Sequence, residues 1–328
     1  MTTYYAKPGG AGAGTGADFD NAWGESELAD AMVSGGSLNL AAGDTVNLLT
    51  GTYAMAASIN ANNAGSSGSP IRYRGLANES GDPCTWANRP VLAFAAGTYC
   101  YLSNFNHLQD IGFTFNHSVG LRVYGGSHLL NCSAVQAHAT GGAINFGTSY
   151  NSLHNCIAQA VGGPAFAGDT AYNMLNRCTA VGGSIGYSIT ARSIWLANCL
   201  AYGATTGVAA SGSAECFAVS GCTIDDCTTG VAIGAEPCAA VNNCIISNCT
   251  NGLTASADNG IVADWNNVYG CDTDVSGFTH GDNLFDVDPL FYDAGGRDYR
   301  IGNRDLVGAD GVTPLGACSL FGGGGSIV

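Results

Sequence analysis

Leu196-Ala197-Asn198-Cys199-Leu200-Ala201 is one copy of a pattern that the chain repeats, and that repeat decides the fold. Its cysteine recurs at Cys132, Cys156, Cys178, Cys199, Cys222 and Cys244, at steps of 24, 22, 21, 23 and 22 residues. Three residues earlier stand Leu129, Leu153, Leu175, Leu196, Val219 and Val241; two residues later stand Ala134, Ala158, Ala180, Ala201, Ile224 and Ile246. Immediately before the cysteine come Asn131, Asn155, Arg177, Asn198, Gly221 and Asn243. A second column keeps the same period: Gly120-Leu121, Gly142-Ala143, Gly163-Pro164, Gly186-Tyr187, Gly207-Val208, Gly230-Val231 and Gly252-Leu253. Two columns with one period near 22 residues are an internal repeat.

Cysteine and the residue two beyond it alternate as on a strand with one face inward. Asn and Gly tolerate the left-handed backbone that a sharp corner between strands needs. Each repeat therefore reads as two or three short strands joined by tight corners, with equivalent positions stacked coil on coil. About eight such coils fill residues 101–277, spaced about 4.8 Å apart. The runs between Gly and Asn are too short for helical repeats, and no leucine-rich consensus appears. The expected class is all-β, a parallel β-helix. The ladder cysteines fit as small buried fillers, because residues stacked about 4.8 Å apart are wider than the roughly 3.8 Å between Cβ atoms that a relaxed disulfide prefers.

Outward from the array, residues 1–100 read as a cap and irregular first coils. The Ala6–Gly14 run is glycine-rich, but no Lys-Ser/Thr and helix follow it as a phosphate loop requires. Ser26 is the expected N-cap of a short helix that runs to Val33 and stops at Gly35-Gly36, a lid for the open end of the core. Residues 39–53 read as two strands around Ala42-Gly43-Asp44, followed by strands at Ile71–Arg74 and Val91–Phe94 with insertions at 60–70 and 76–90. Residues 278–328 read as a closing segment and a glycine-rich tail, whose last residues, Ile327 and Val328, are expected to contact a partner subunit.

The coils, the Asn corners, the capping helix, the Ala42-Gly43-Asp44-Thr45-Val46…Gly51-Thr52-Tyr53 opening and the closing Asp288-Pro289-Leu290-Phe291…Arg297-Asp298-Tyr299-Arg300-Ile301 together resemble the right-handed parallel β-helices of the pectate-lyase-like superfamily. The resemblance covers about residues 1–316 and implies that fold. It implies no single function, because the superfamily includes lyases, hydrolases, epimerases, adhesins and phage tail spikes.

Charge narrows the function classes. One lysine and nine arginines stand against 25 acids, a net charge of −15, so neither nucleic acid nor an anionic membrane is an expected partner. No apolar run reaches the length of a membrane span, and Met1-Thr2-Thr3-Tyr4-Tyr5 lacks the layout of a secretion signal. A lyase of uronate glycans needs cations and a base, whereas the regular coils offer only Arg122, Arg177 and Arg192. For a glycosidase pair, Asp225 and Asp226 are the candidates, but adjacent strand residues face opposite ways and their counterparts are Ser247-Asn248 and Tyr202-Gly203. Asp169, Glu215, Glu236, Asp258 and Asp264 are scattered. Asp272, Asp274 and Asp282, with Asp286 and Asp288, are candidate calcium ligands, with a solvated acidic loop as the alternative. His128 and His154 fall out of register with each other. No cofactor is expected. Tyr150, Tyr172, Tyr187, Trp195, Tyr202, Trp265 and Tyr269 recur in the array and could stack on sugars or fill corners. The expectation from sequence is a non-catalytic virion-surface protein, a capsid decoration or tail-spike-like β-helix. It would be self-associated as a homotrimer, contact other virion proteins, and possess the option of surface glycans as ligands. The alternatives are an extracellular polysaccharide-degrading enzyme and a glycan-binding adhesin.

Overall fold

A computed structural model describes residues 1–33, 37–61, 64–211, 216–234, 239–257, 260–277, 280, 283–295, 298–303, 306 and 315–316. The chain forms two compact units, 1–161 and 162–328, each built of stacked coils with parallel strands. In the first unit, one sheet runs from Thr3–Ala6 through Thr45–Leu49, Ile71–Leu76 and Asn106–Gln109 to His128–Leu130 and Ser152–His154. A second runs from Gly51–Met55 to Ile157–Ala160, and a third from Ile59–Ala61 through Cys100–Leu102 and Val119–Val123 to Gly142–Phe146. The second unit repeats the plan. Its first sheet spans Met174–Asn176 to Val262–Asp264, its second Thr179–Val181 to Leu284–Phe285, and its third Pro164–Gly168 to Thr273–Ser276. This is an all-β parallel solenoid.

The sequence columns are the registers of these ladders. Leu108, Leu129 and Leu153 pair in one unit, and Leu175, Leu196, Val219, Val241 and Ala263 in the other. All are buried, each contributing about 1.5–3 kcal/mol for a leucine-sized side chain. The corner residues Asp110, Asn131, Asn155, Arg177, Asn198, Gly221, Asn243 and Trp265 all have φ between 52° and 60°. In the first unit the corner amides form a chain of their own: Asn155 Nδ2 donates to Asn131 Oδ1 at 2.7 Å, and Asn131 Nδ2 to Asp110 Oδ1 at 3.0 Å.

The glycine column needs correction. Val119 pairs with Gly142 and Phe166 with Tyr187, which places Ala143 beside Gly120 and Ala165 beside Gly186. Three glycines of the second unit are fixed by crowding across the core. A Cβ on Gly207, Gly230 or Gly252 would fall 2.4–2.5 Å from Ile224, Ile246 or Val268. At Gly186, which faces Ala180 and Ala201, the obstacle is instead the Gly207 carbonyl at 2.5 Å.

The helix is Glu25–Met32, packed against the first coil through buried Leu28, Ala31 and Met32. Its N-cap is Gly24, not Ser26: Glu27 reaches back to accept from the Gly24 N–H at 3.1 Å, while Ser26 donates to Glu27 at 3.0 Å. The expected stop at Gly35-Gly36 lies outside the described residues. Leu38 and Leu40 are not on a strand. The 39–44 stretch is a turn in which buried Asp44 accepts from the N–H groups of Thr2 and Ala41, and the strand partner of Thr45–Leu49 is instead Thr3–Ala6.

Candidate functional site

On the third sheet of the first unit, strand alternation turns Cys100, Leu102, Leu121 and Val123 inward and leaves one outward column, Asn60, Tyr101, Arg122 and Asn145. Tyr99 flanks this column just before its strand, and Tyr124 just after the next. The Tyr99 and Tyr101 rings lie 4.4 Å apart, Tyr101 and Tyr124 6.3 Å, and His117 stands 5.4 Å from Tyr99. The Arg122 guanidinium carbon is 5.9 Å from the Tyr101 ring centre and 5.8 Å from that of Tyr124. Gly147 makes room for this packing, since a Cβ there would meet Arg122 Nε and the Tyr124 ring at 2.9 Å. The result is a half-exposed face of three tyrosines with a guanidinium set between two of them, Tyr101 and Tyr124. None of the three phenol hydroxyls is committed to a hydrogen bond among the described residues. Such a face offers ring surfaces for stacking and O–H and N–H groups at its rim.

The carboxylates named from sequence lie elsewhere. Asp225 is 4% exposed, on the second sheet of the second unit between Tyr202 and Ser247. Its Oδ1 accepts from Ser247 Oγ at 2.7 Å and Asn248 Nδ2 at 2.8 Å, and its Oδ2 from the Tyr299 hydroxyl at 3.0 Å. That carboxylate is fully engaged in holding structure. Asp226, its neighbour, stands at a corner with φ 52° beside an open polar hollow lined by Thr205, Thr228, Asn248 and Thr250. The pair does not converge on one space. Asp272 is exposed and Asp274 half-buried, its carboxyl raised by burial and then by the charge of Asp286. Asp282, Glu215, Glu236, Asp258, Ile327 and Val328 lie outside the described residues. Among the described residues no three His, Cys, Asp or Glu side chains group as a metal site, and no helix is long and apolar enough to cross a membrane.

All six ladder cysteines are buried thiols outside any disulfide. Cys132 and Cys156 donate to the carbonyls of Leu130 and His154, each at 3.4 Å. The recurring aromatics divide by place. Tyr150, Tyr172 and Trp265 are corner residues with positive φ. Tyr187 is in the core, its hydroxyl donating to Cys178 O at 2.7 Å and Leu200 O at 3.0 Å. Tyr202 is buried, and Trp195 is 58% exposed. His128 pairs in register with Ser152 while His154 pairs with Leu130, so the two histidines occupy different columns.

Sequence reasoning passed over Tyr99, Tyr101 and Tyr124, and named Arg122 without them. The signal was present: Tyr101 precedes Arg122 by 21 residues, one coil, and Tyr99 and Tyr101 share a face by strand alternation.

No protein-family model and no curated protein matches the chain. Among solved structures it is similar to pectate lyase Pel9A, at 14% identity over 97% of this chain and 88% of that one, with a TM-score of 0.65. It is also similar to a rhamnogalacturonan lyase (17% identity, 82% and 74% covered, TM-score 0.53). A third likeness is to the GH136 lacto-N-biosidase from Eubacterium ramulus (9% identity, 87% and 68% covered, TM-score 0.53). The fold is that of the pectate-lyase-like parallel β-helices. At these identities the likeness is one of fold, and residue roles do not carry across.

Proposed function

We propose that this protein recognises a glycan on the outer face of its third sheet, with the chain laid across Tyr99, Tyr101, Arg122 and Tyr124. The observation that carries the reading is the clustering of three tyrosines and one arginine on a strand surface whose neighbouring outward residues are Asn60 and Asn145. A pyranose presents one apolar face and a polar rim, and so does this surface. The three solved structures of similar fold are all named for action on glycans, which supports the same direction.

The expectation from sequence is a non-catalytic structural component of a virion surface; the glycan reading takes up its two alternatives, the polysaccharide-degrading enzyme and the adhesin. Titration calorimetry against a panel of neutral and uronate oligosaccharides, paired with a reducing-end assay of the same mixtures, tests the proposal. Saturable binding that weakens about tenfold in Tyr101→Ala and in Arg122→Ala is the expected result. Turnover in the reducing-end assay would make the face that of a depolymerase; binding without turnover would make it that of an adhesin. Absence of binding across the panel, or binding untouched by both substitutions, overturns it and leaves the purely structural reading.

A further inference from the structure

The first sheet of the first unit carries a second, chemically different face. Strand Ile71–Leu76 turns Tyr73 into the core and Arg72 and Arg74 outward. Arg72 pairs in register with His107 and His107 with His128, while Arg74 pairs with Gln109. These side chains and Thr45 line a cavity of about 240 Å³. The His107 and His128 rings meet edge to face at 4.5 Å, and His128 Nδ1 is 2.8 Å from Ser152 Oγ, which orients that imidazole.

The charge is unbalanced. The chain has 25 acids for ten Lys and Arg, yet neither the Arg72 nor the Arg74 guanidinium has an ion pair or hydrogen bond among the described residues. Residues two apart on a strand lie about 7 Å from each other, so the two guanidinium groups flank one space and do not stack. Burial first, then His128 and Arg72, push His107 down to about 4, and burial lowers His128 as well. Both imidazoles are therefore neutral at pH 7, each with one N–H to donate and one nitrogen to accept. The cavity presents two full positive charges, neutral donors from the histidines and Thr45, and no carboxylate in its lining; the Gln109 amide donates to Asp110 Oδ2 at 2.9 Å. Its volume is below the roughly 300–1,000 Å³ of drug-sized ligand pockets.

We propose that this cavity binds a compact divalent oxyanion, sulfate or phosphate, either free or as an ester on a larger molecule. Two guanidinium forks match the two charges and several acceptor oxygens of such a group. The site stands on a different sheet from the tyrosine face, and its argument does not depend on that reading.

The test is calorimetric titration of the full chain with sodium sulfate and with sodium phosphate, at constant ionic strength set by sodium chloride. Retention on heparin is measured in parallel. Saturable binding of the free anions, weakened at least tenfold in Arg72→Ala and in Arg74→Ala and unchanged in Tyr101→Ala, supports the site as one for the free ion. Heparin retention that both arginine variants abolish, with free anions failing to bind, supports it as one for the ester. Circular dichroism confirms that these surface variants are folded. If neither free anion nor heparin binds, or if both arginine variants bind as the unaltered protein does, the proposal is wrong. Loss of glycan binding in Tyr101→Ala alone would bear only on the tyrosine face.

Discussion

The Tyr299 hydroxyl donates a 3.0 Å hydrogen bond to Oδ2 of Asp225, joining residues 74 apart in sequence inside the buried flank of the second unit. The bond ties the antiparallel pair Phe291–Asp293 and Asp298–Ile301 onto the second sheet, where Phe291 packs edge-on to Tyr299 at 5.1 Å. Beside it, Leu306 and Leu315 close over Ile245. Tyr299→Phe keeps the ring and leaves one lone pair of a buried carboxylate without its donor. We expect a loss of about 1–3 kcal/mol, because a hydrogen bond to a charged group is stronger than a neutral one and its orphaned partner stays buried. Urea unfolding measures it; an unchanged midpoint would mean that the strap is held by its apolar contacts alone.

The glycine column and its facing isoleucines form a matched set. A Cβ on Gly230 would lie 2.5 Å from Ile246 Cγ2 and 2.7 Å from the Gly252 carbonyl. Gly230→Ala is expected to destabilise by about 1–3 kcal/mol through overpacking. In the double variant with Ile246→Ala, which removes the clashing Cγ2, the cost should fall below the sum of the single changes by at least about 0.5 kcal/mol, the signature of residues in contact. Strict additivity would show that the clash is with the Gly252 backbone only.

Arg177 occupies a left-handed corner, φ 54°, that Asn131, Asn155, Asn198 and Asn243 fill in other coils. Left-handed backbone costs about 1–2 kcal/mol for an ordinary residue, and Asn relieves part of it. Arg177→Asn should therefore stabilise the protein by up to about 1 kcal/mol, seen as a higher urea midpoint with an unchanged slope. A lower midpoint would show that the arginine contributes more through its side chain than its backbone costs.

The buried thiols Cys100 and Cys132 carry a pH dependence of definite sign. Burial pushes Cys100 and Cys132 well above the usual thiol range. Above the unfolded thiol value of about 8.5, the unfolded chain loses protons that the folded chain keeps. Stability is thus fully present below that value and declines as pH rises through and beyond it, by up to about 1.4 kcal/mol per pH unit for each such thiol. Urea titrations at pH 7 and 10 should show the fall, and Cys100→Ala should reduce its slope. A flat profile over that range would mean that these thiols ionise as easily folded as unfolded. With a thiol reagent at pH 8, exposed Cys216 and half-exposed Cys84 should react before Cys100.

Much of the coil was legible in the sequence, because a solenoid repeats one local solution and each copy checks the others. The Leu, Asn, Cys and Ala columns are pairing registers, and the left-handed corners follow from Asn131 and its counterparts. Where the repeat loosens, the reading slipped. Gly142 and Gly163 were one and two residues from their true column, where Ala143 and Ala165 stand. Gly24 displaced Ser26 as the cap, since Glu27 supplies the bond that a serine side chain would have made. The candidate faces were harder to see. Tyr101, Arg122, Arg72, Arg74 and His107 all lie in or beside the irregular first coils, and their partners are set by inter-coil register, not by sequence proximity. Asp225 and Asp226 drew attention as a pair of acids, yet one of them is sealed by Tyr299 from the far end of the chain.

The central claim is that sugar rings lie on the Tyr99, Tyr101 and Tyr124 face. The most direct test is a crystal structure of the protein with an oligosaccharide that calorimetry has shown to bind. The expected result is a pyranose ring stacked on Tyr101, its carbons within about 4.0–4.5 Å of the phenol ring, with Arg122 hydrogen-bonded to its rim. A sugar bound elsewhere, with this face empty, would contradict it.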